Sequence, residues 1–291
     1  MKDIKELLKL ILLMSLMIFS GLIVKHALAI FGIVYTPDNY FLYSVIDLLA
    51  SALVIIFLLI QHRKTLKEDI KKILSNKHGL LKYLGLIVVG YIMLINLEAV
   101  FAVIERIIAF IFSINMSTPD NQEKVEIIIH SSPILMAISA CLLAPLEEEL
   151  LFRGSIRKTI KNKGVFIAVS GLFFGLLHIT DNYILLILII LLGFALSQII
   201  NSNKAKKDKI LLSVISLVIS TCIFIVGMII VHGSIITYIY SIDPNEILNG
   251  ITYVGLGCYF AGIYAFSDNI CYTIGIHMLT NTLASILILL K

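Results

Sequence analysis

Three carboxylates and an arginine, Glu147, Glu148, Glu149 and Arg153, stand in the run Pro145-Leu146-Glu147-Glu148-Glu149-Leu150-Leu151-Phe152-Arg153-Gly154, which ends a long apolar stretch. Ionised side chains are costly in a bilayer, and where they occur they mark function. On an α-helix each residue advances about 100°, so Glu149 and Arg153, at i and i+4, share a face while Glu148 points elsewhere. The spacing predicts an ion pair between Glu149 and Arg153, or a clamp for a substrate carboxylate. Glu148 is left without a local partner, as suits a general base. The bland alternative places all three glutamates at headgroup level.

Two later segments carry the remaining candidates. Gly171-Leu172-Phe173-Phe174-Gly175-Leu176-Leu177-His178 puts Gly171 and Gly175 on a small-residue face that admits a close helix neighbour, with His178 on the same apolar helix. His178 alone reads as a catalyst or as a histidine bonded to a nearby carbonyl. His277-Met278-Leu279-Thr280-Asn281 stacks imidazole and amide one helical turn apart. That pair suits an oxyanion hole, or a hydrogen-bonded tie between two helices.

These segments need a membrane scaffold to meet. Over 291 residues, 59% are hydrophobic and 14% charged, and the mean hydropathy is +1.01, values that belong to a polytopic membrane protein. A net charge of +4 does not point to nucleic acid, because the basic residues gather in short loops as topology signals do. Cys141, Cys222, Cys258 and Cys271 lack metal-type spacing and read as small buried hydrophobes.

A hydrocarbon core about 30 Å thick takes about 20 helical residues. On that ruler the spans fall near 10–33, 41–61, 83–112, 130–153, 165–180, 183–200, 210–233, 249–266 and 271–290. The expected fold is an all-α bundle of eight or nine transmembrane helices. Residues 1–129 form N-terminal helices and 130–291 the core, with a further helical segment near 183–248. Basic residues crowd the start, 62–82, 153–163 and 204–209, while 34–40, 113–127 and 234–248 hold a single lysine, Lys124. This predicts a cytoplasmic amino terminus. Within 62–82, Leu66, Ile70, Ile73 and Leu74 recur at helical spacing among lysines, as in an amphipathic helix on an anionic leaflet or a solvated connecting helix. Pro37, Pro119 and Pro244 read as turns. Glu105 and Arg106 read as markers of the membrane interface, and residues from about 133 to 161 as one helix.

The ordered set Glu148-Glu149 with Arg153, then Phe174 with His178, then His277 with Asn281, resembles the CAAX protease and bacteriocin-processing (CPBP, or Abi) intramembrane endopeptidases. The resemblance covers 130–182 and 250–290, about a third of the chain. It extends to Gly262-Ile263-Tyr264 through Asp268-Asn269 to His277, a helix, a polar turn and a second helix. It implies an endopeptidase in which Glu148 and His178 activate a water and His277 and Asn281 stabilise the oxyanion. Glu149 and Arg153 would support or orient the first motif. A glutamate-activated water needs no cofactor; the alternative is zinc held by Glu148, His178 and His277.

His277 lies 99 positions after His178, farther than the resemblance leads one to expect, which defines the insert at 183–248. The implied partners are the lipid bilayer and a peptide or membrane-tethered precursor, in a bacterial cytoplasmic membrane. The resemblance does not fix the oligomeric state. Rival readings are a catalytically silent immunity or scaffold protein that binds a peptide toxin or sensor, and a proton-coupled transporter. The transporter reading calls for two similar halves, and no such repeat is present.

Overall fold

The computed structural model describes residues 2–36, 38–75, 77–117, 120–179, 183–202, 205–232 and 243–290, and all regular structure among them is helical. Pro37 and Pro119 lie outside the described residues, as do 203–204 and 233–242 of the segment 183–248. Five described helices are long and apolar enough to cross a membrane: Asp3–Ile30, Tyr40–Leu74, Gly79–Phe112, Pro244–Ser267 and Ile270–Leu289. The chain is a multi-pass membrane protein.

Two stretches depart from the expected spans. The sequence 130–153 is not one simple crossing. A helix Asp120–Ser131 stops at Ser132, and a new helix opens with Pro133 in its first turn, where a missing N–H costs nothing. From there the chain stays helical without a break to Thr159, through two π-helical segments, Ser139–Leu143 and Glu149–Ser155. We call this rod the glutamate helix.

The second departure is at 62–82. The first part of this stretch continues the second helix, Tyr40–Leu74, whose 35 residues reach about 52 Å at about 1.5 Å per residue. No glycine or proline interrupts that run. Its far end buries His62, Asp69 and Ile73 and leaves Ile70 and Leu74 exposed, so one stripe of it packs on protein.

The described residues form two compact units, one comprising Leu8–Ile95, Asn121–Ser155 and Phe266–Lys291, the other Met1–Leu7, Asn96–Asp120 and Ile156–Ala265. In the first, the second helix, the glutamate helix and the last helix, Ile270–Leu289, pack together. The third helix reaches the last one where Gly275 leaves room: a Cβ there would meet Ile87 Cδ1 at 2.4 Å and Tyr83 Oη at 2.7 Å. Tyr83 donates to the Cys271 carbonyl at 2.9 Å.

In the second unit the helix Lys163–Ile179 packs on Pro244–Ser267 through the glycine face read from the sequence. A Cβ on Gly175 would stand 2.6 Å from Val254 N, and one on Gly257 would stand 2.8 Å from the Gly171 carbonyl oxygen. Glu105 is buried in this unit. Its Oε1 accepts from Thr252 N at 3.1 Å and from the Thr252 hydroxyl at 2.6 Å, a pairing that spans 147 positions and leaves no local trace in the sequence. Cys222 is exposed, unlike the buried Cys141.

Backbone cannot yield as a flexible side chain can. Gly175→Val is therefore expected to destabilise the protein by about 1–3 kcal/mol, read as a lowered midpoint of SDS unfolding in mixed micelles. Gly262→Ala, where a Cβ meets nothing within 4 Å, leaves that midpoint unchanged or raises it.

Candidate active site

The glutamate helix departs from α geometry at two places, and both face the last helix. In the first π segment the Ala144 N–H bonds back five residues to the Ser139 carbonyl. The next carbonyl along, that of Ala140, accepts from Asn281 Nδ2 at 2.9 Å. A widened turn of this kind leaves carbonyls for outside donors, and such turns recur at functional sites. The second π segment begins at Glu149 and contains Arg153. Its wider turn keeps these two residues on one face.

Glu149 is the hub of the cluster. The side chain is fully buried, as is that of Arg153, and Oε2 lies 3.2 Å from Arg153 Nε. Oε1 lies 3.0 Å from His277 Nδ1. A carboxylate oxygen has no proton to give here, so Nδ1 carries the hydrogen and donates it. Nε2 of His277 is thereby turned away from Glu149. It lies 3.9 Å from Glu148 Oε2.

The three adjacent glutamates therefore face three ways. Glu147 is 7% exposed and lies near Ser51 and Asp47 of the second helix. Asp47 in turn accepts from Ser139 Oγ of the first π segment. Glu149 faces the last helix. Glu148 lies between them, its side chain 21% exposed, and its buried Oε2 accepts no hydrogen bond from the described residues.

Arg153 is followed by Gly154, and the second helix explains the glycine. A Cβ on Gly154 would stand 2.7 Å from His62 Cε1. His62 is itself buried, with Nε2 2.9 Å from Ser155 Oγ, and Gln61 Nε2 donates to the same oxygen at 3.1 Å. The second helix thus braces the end of the π segment that carries Arg153.

His178 belongs to the other compact unit. Its Nδ1 lies 2.7 Å from the Phe174 carbonyl, and because a carbonyl only accepts, Nδ1 carries the hydrogen and Nε2 keeps its lone pair in the neutral ring. The ring sits 4.5 Å from Phe174 and stacks on Tyr253 at 4.9 Å with an 18° tilt. The carbonyl bond read as an alternative to catalysis is thus made by one ring nitrogen while the other keeps the proton-accepting function.

Glu148, Glu149, Arg153 and His277 meet in one cluster, and Asn281 lies one turn beyond His277 on the same helix, tied to the glutamate helix. One of the two amide hydrogens of Asn281 is used in that tie; the other remains for a further acceptor. The sequence reading passed over His62, Asp47, Asp69 and Tyr253. A histidine and two acids inside otherwise apolar or basic stretches were the available signal, but nothing local names their partners.

The hub predicts its own removal. Glu149→Gln leaves the Arg153 charge buried without its carboxylate, a change expected to destabilise by about 3–5 kcal/mol, measured as loss of folded protein in detergent-resistance and SDS-unfolding assays. Comparisons with curated proteins and with solved structures return no match. A family model, "Type II CAAX prenyl endopeptidase Rce1-like", matches residues 130–205. That stretch contains Glu148, Glu149, Arg153, Phe174 and His178, the motif residues that precede the insert, and on this match residues 130–205 are similar to the CAAX-protease family.

Proposed function

We propose that the protein is an intramembrane endopeptidase that hydrolyses peptide bonds in peptide or membrane-tethered precursors, such as pheromone or bacteriocin peptides. It would sit in a bacterial cytoplasmic membrane with its amino terminus cytoplasmic. Following the family resemblance, Glu148 and His178 activate the water while His277 and Asn281 hold the oxyanion. Glu148 takes a proton as the water oxygen bonds to the carbonyl carbon. The C–N bond then breaks, and the proton passes to the leaving amine. The core at 130–291 would carry the chemistry, with the helices before it and the insert at 183–248 shaping access.

The observation that carries this reading is Glu148 Oε2: buried, accepting no hydrogen bond from the described residues, and 3.9 Å from His277 Nε2. A general base needs a lone pair that the fold has not already used. The separation is beyond direct hydrogen-bond reach, and one water oxygen spans it with two bonds of about 2.8 Å. Glu149 holds His277 so that Nε2 faces this gap. For that nitrogen to donate to the oxyanion while Nδ1 donates to Glu149, the ring carries a hydrogen on both nitrogens. Asn281 supports the oxyanion role through its second amide hydrogen.

Among the described residues no three His, Cys, Asp or Glu side chains form a metal-ligating group. The Nδ1 of His277 is held by Glu149, which leaves Nε2 as the nitrogen able to meet a substrate oxygen or a metal ion. The steps above use protein groups alone.

Two tests follow. In protein reconstituted into vesicles, Glu148→Gln and His178→Ala are each expected to lower peptide cleavage on the order of 100-fold or more, and the membrane peptidome of cells carrying Glu148→Gln gains uncleaved precursors. Wild-type cleavage by both variants would sink the protease reading; a cellular phenotype that survives both points to a binding or immunity protein. Separately, cleavage is expected to continue after exhaustive chelation, with no stoichiometric zinc by elemental analysis. A loss that only zinc restores overturns the metal-free mechanism.

A further inference from the structure

The last helix carries His277, and the far end of the second helix holds its start. Asp69 is 2% exposed in a stretch otherwise rich in lysine. Its Oδ2 accepts from the Ile270 N–H at 3.0 Å, one of the N-terminal amides that a helix cannot satisfy internally. Asn269 caps the same helix, its Oδ1 accepting from Cys271 N at 2.9 Å, and its Nδ2 returns to the Asp69 carbonyl at 3.1 Å. Lys72 Nζ closes the arrangement from outside, 3.2 Å from Asp69 Oδ1 and 3.2 Å from the Asp268 carbonyl. Asp268 takes a left-handed backbone, φ 49°, which turns the chain into the cap.

Ile270 and His277 are seven residues apart, two helical turns of about 3.6 residues, so they share a face. Thr273 lies on it between them. Along that one face the helix is bonded at three levels: Ile270 N to Asp69, His277 to Glu149, and Asn281 to the Ala140 carbonyl. The lower two levels are side-chain bonds that tolerate some rotation. The upper level is a backbone bond to a carboxylate, which fixes both height and azimuth.

We propose that Asp69 and Asn269 form a clasp that sets the axial position and rotation of the last helix, making Asp69 a positioning residue for His277. The inference rests on the endopeptidase reading of the site. Without the carboxylate, the start of the helix loses its backbone acceptor, and His277 drifts relative to Glu149. A misplacement of about 1 Å in a catalytic group costs on the order of 100-fold in rate.

The test compares Asp69→Ala with Asp69→Asn, which keeps an acceptor for Ile270 N, in full-length protein. The kinetic probe is the precursor peptide that accumulates in cells carrying Glu148→Gln, prepared as an internally quenched substrate. Asp69→Ala is expected to lower kcat on the order of 10- to 100-fold with KM within about twofold, and Asp69→Asn to recover most of the loss. A second readout needs no cleavage: in histidine-labelled protein, the hydrogen-bonded Nδ1–H resonance of His277 is lost in Asp69→Ala and restored in Asp69→Asn. If Asp69→Ala does not fold, Asn269→Ala carries the same expectation with a smaller effect. Wild-type kcat and an unchanged His277 resonance in Asp69→Ala overturn the clasp, as does an equal fall in both Asp69 variants. Should the wild type cleave nothing, the protease reading fails while the His277 resonance still decides the clasp.

Discussion

The arrangement depends on one buried carboxylate. Glu149 and Arg153 are both fully removed from solvent, and taking two charges out of water is compensated only when the geometry is good and the remaining hydrogen-bonding capacity is used. Arg153 comes from the same helix one turn on. His277 comes from a helix more than a hundred residues later. The ion pair that makes burial tolerable is therefore also the joint between the glutamate helix and the last helix. Register, rotation and side-chain protonation all meet at Glu149.

The π segments serve that joint. In a regular α-helix every interior carbonyl already accepts from the amide four residues on, which leaves only its second lone pair for an outside donor such as Asn281. Widening the turn at Ser139–Leu143 places the Ala140 carbonyl where Asn281 Nδ2 reaches it. Widening the next at Glu149–Ser155 keeps Arg153 beneath Glu149 while the helix passes His62, which requires Gly154. Irregular backbone at membrane depth persists where protein surrounds it, and here the second and last helices provide that cover.

Local patterns in the sequence were enough for some of this. The i, i+4 spacing of Glu149 and Arg153 gives their pairing, and the glycines at 171 and 175 announce a close helix contact. Each is a short-range signal tied to helical periodicity. What was not legible depends on partners distant in sequence. Asp69 sits among lysines and looks like one more surface charge until Ile270 is placed beside it. His62 looks like part of a basic loop until Gly154 lies against it. The continuity of Tyr40–Leu74 was obscured for a related reason: hydropathy marks where the bilayer ends, and a helix need not end there. The π turns escape a reading built on 100° per residue, because their extra residue leaves no mark in composition.

Three consecutive glutamates now have a physical explanation. Adjacent residues on a helix diverge by roughly a quarter turn or more, so a helix packed on two sides presents neighbouring side chains to different partners. Glu147 is buried beside Ser51 and Asp47 of the second helix, and Glu149 is held by the last helix through His277. Turning the glutamate helix one way stretches the first contact, and turning it the other way stretches the second. Glu148, between them, is oriented by this opposition without spending its own Oε2 on the fold. A carboxylate held through its neighbours keeps its lone pairs for chemistry, which one held through its own hydrogen bonds would not.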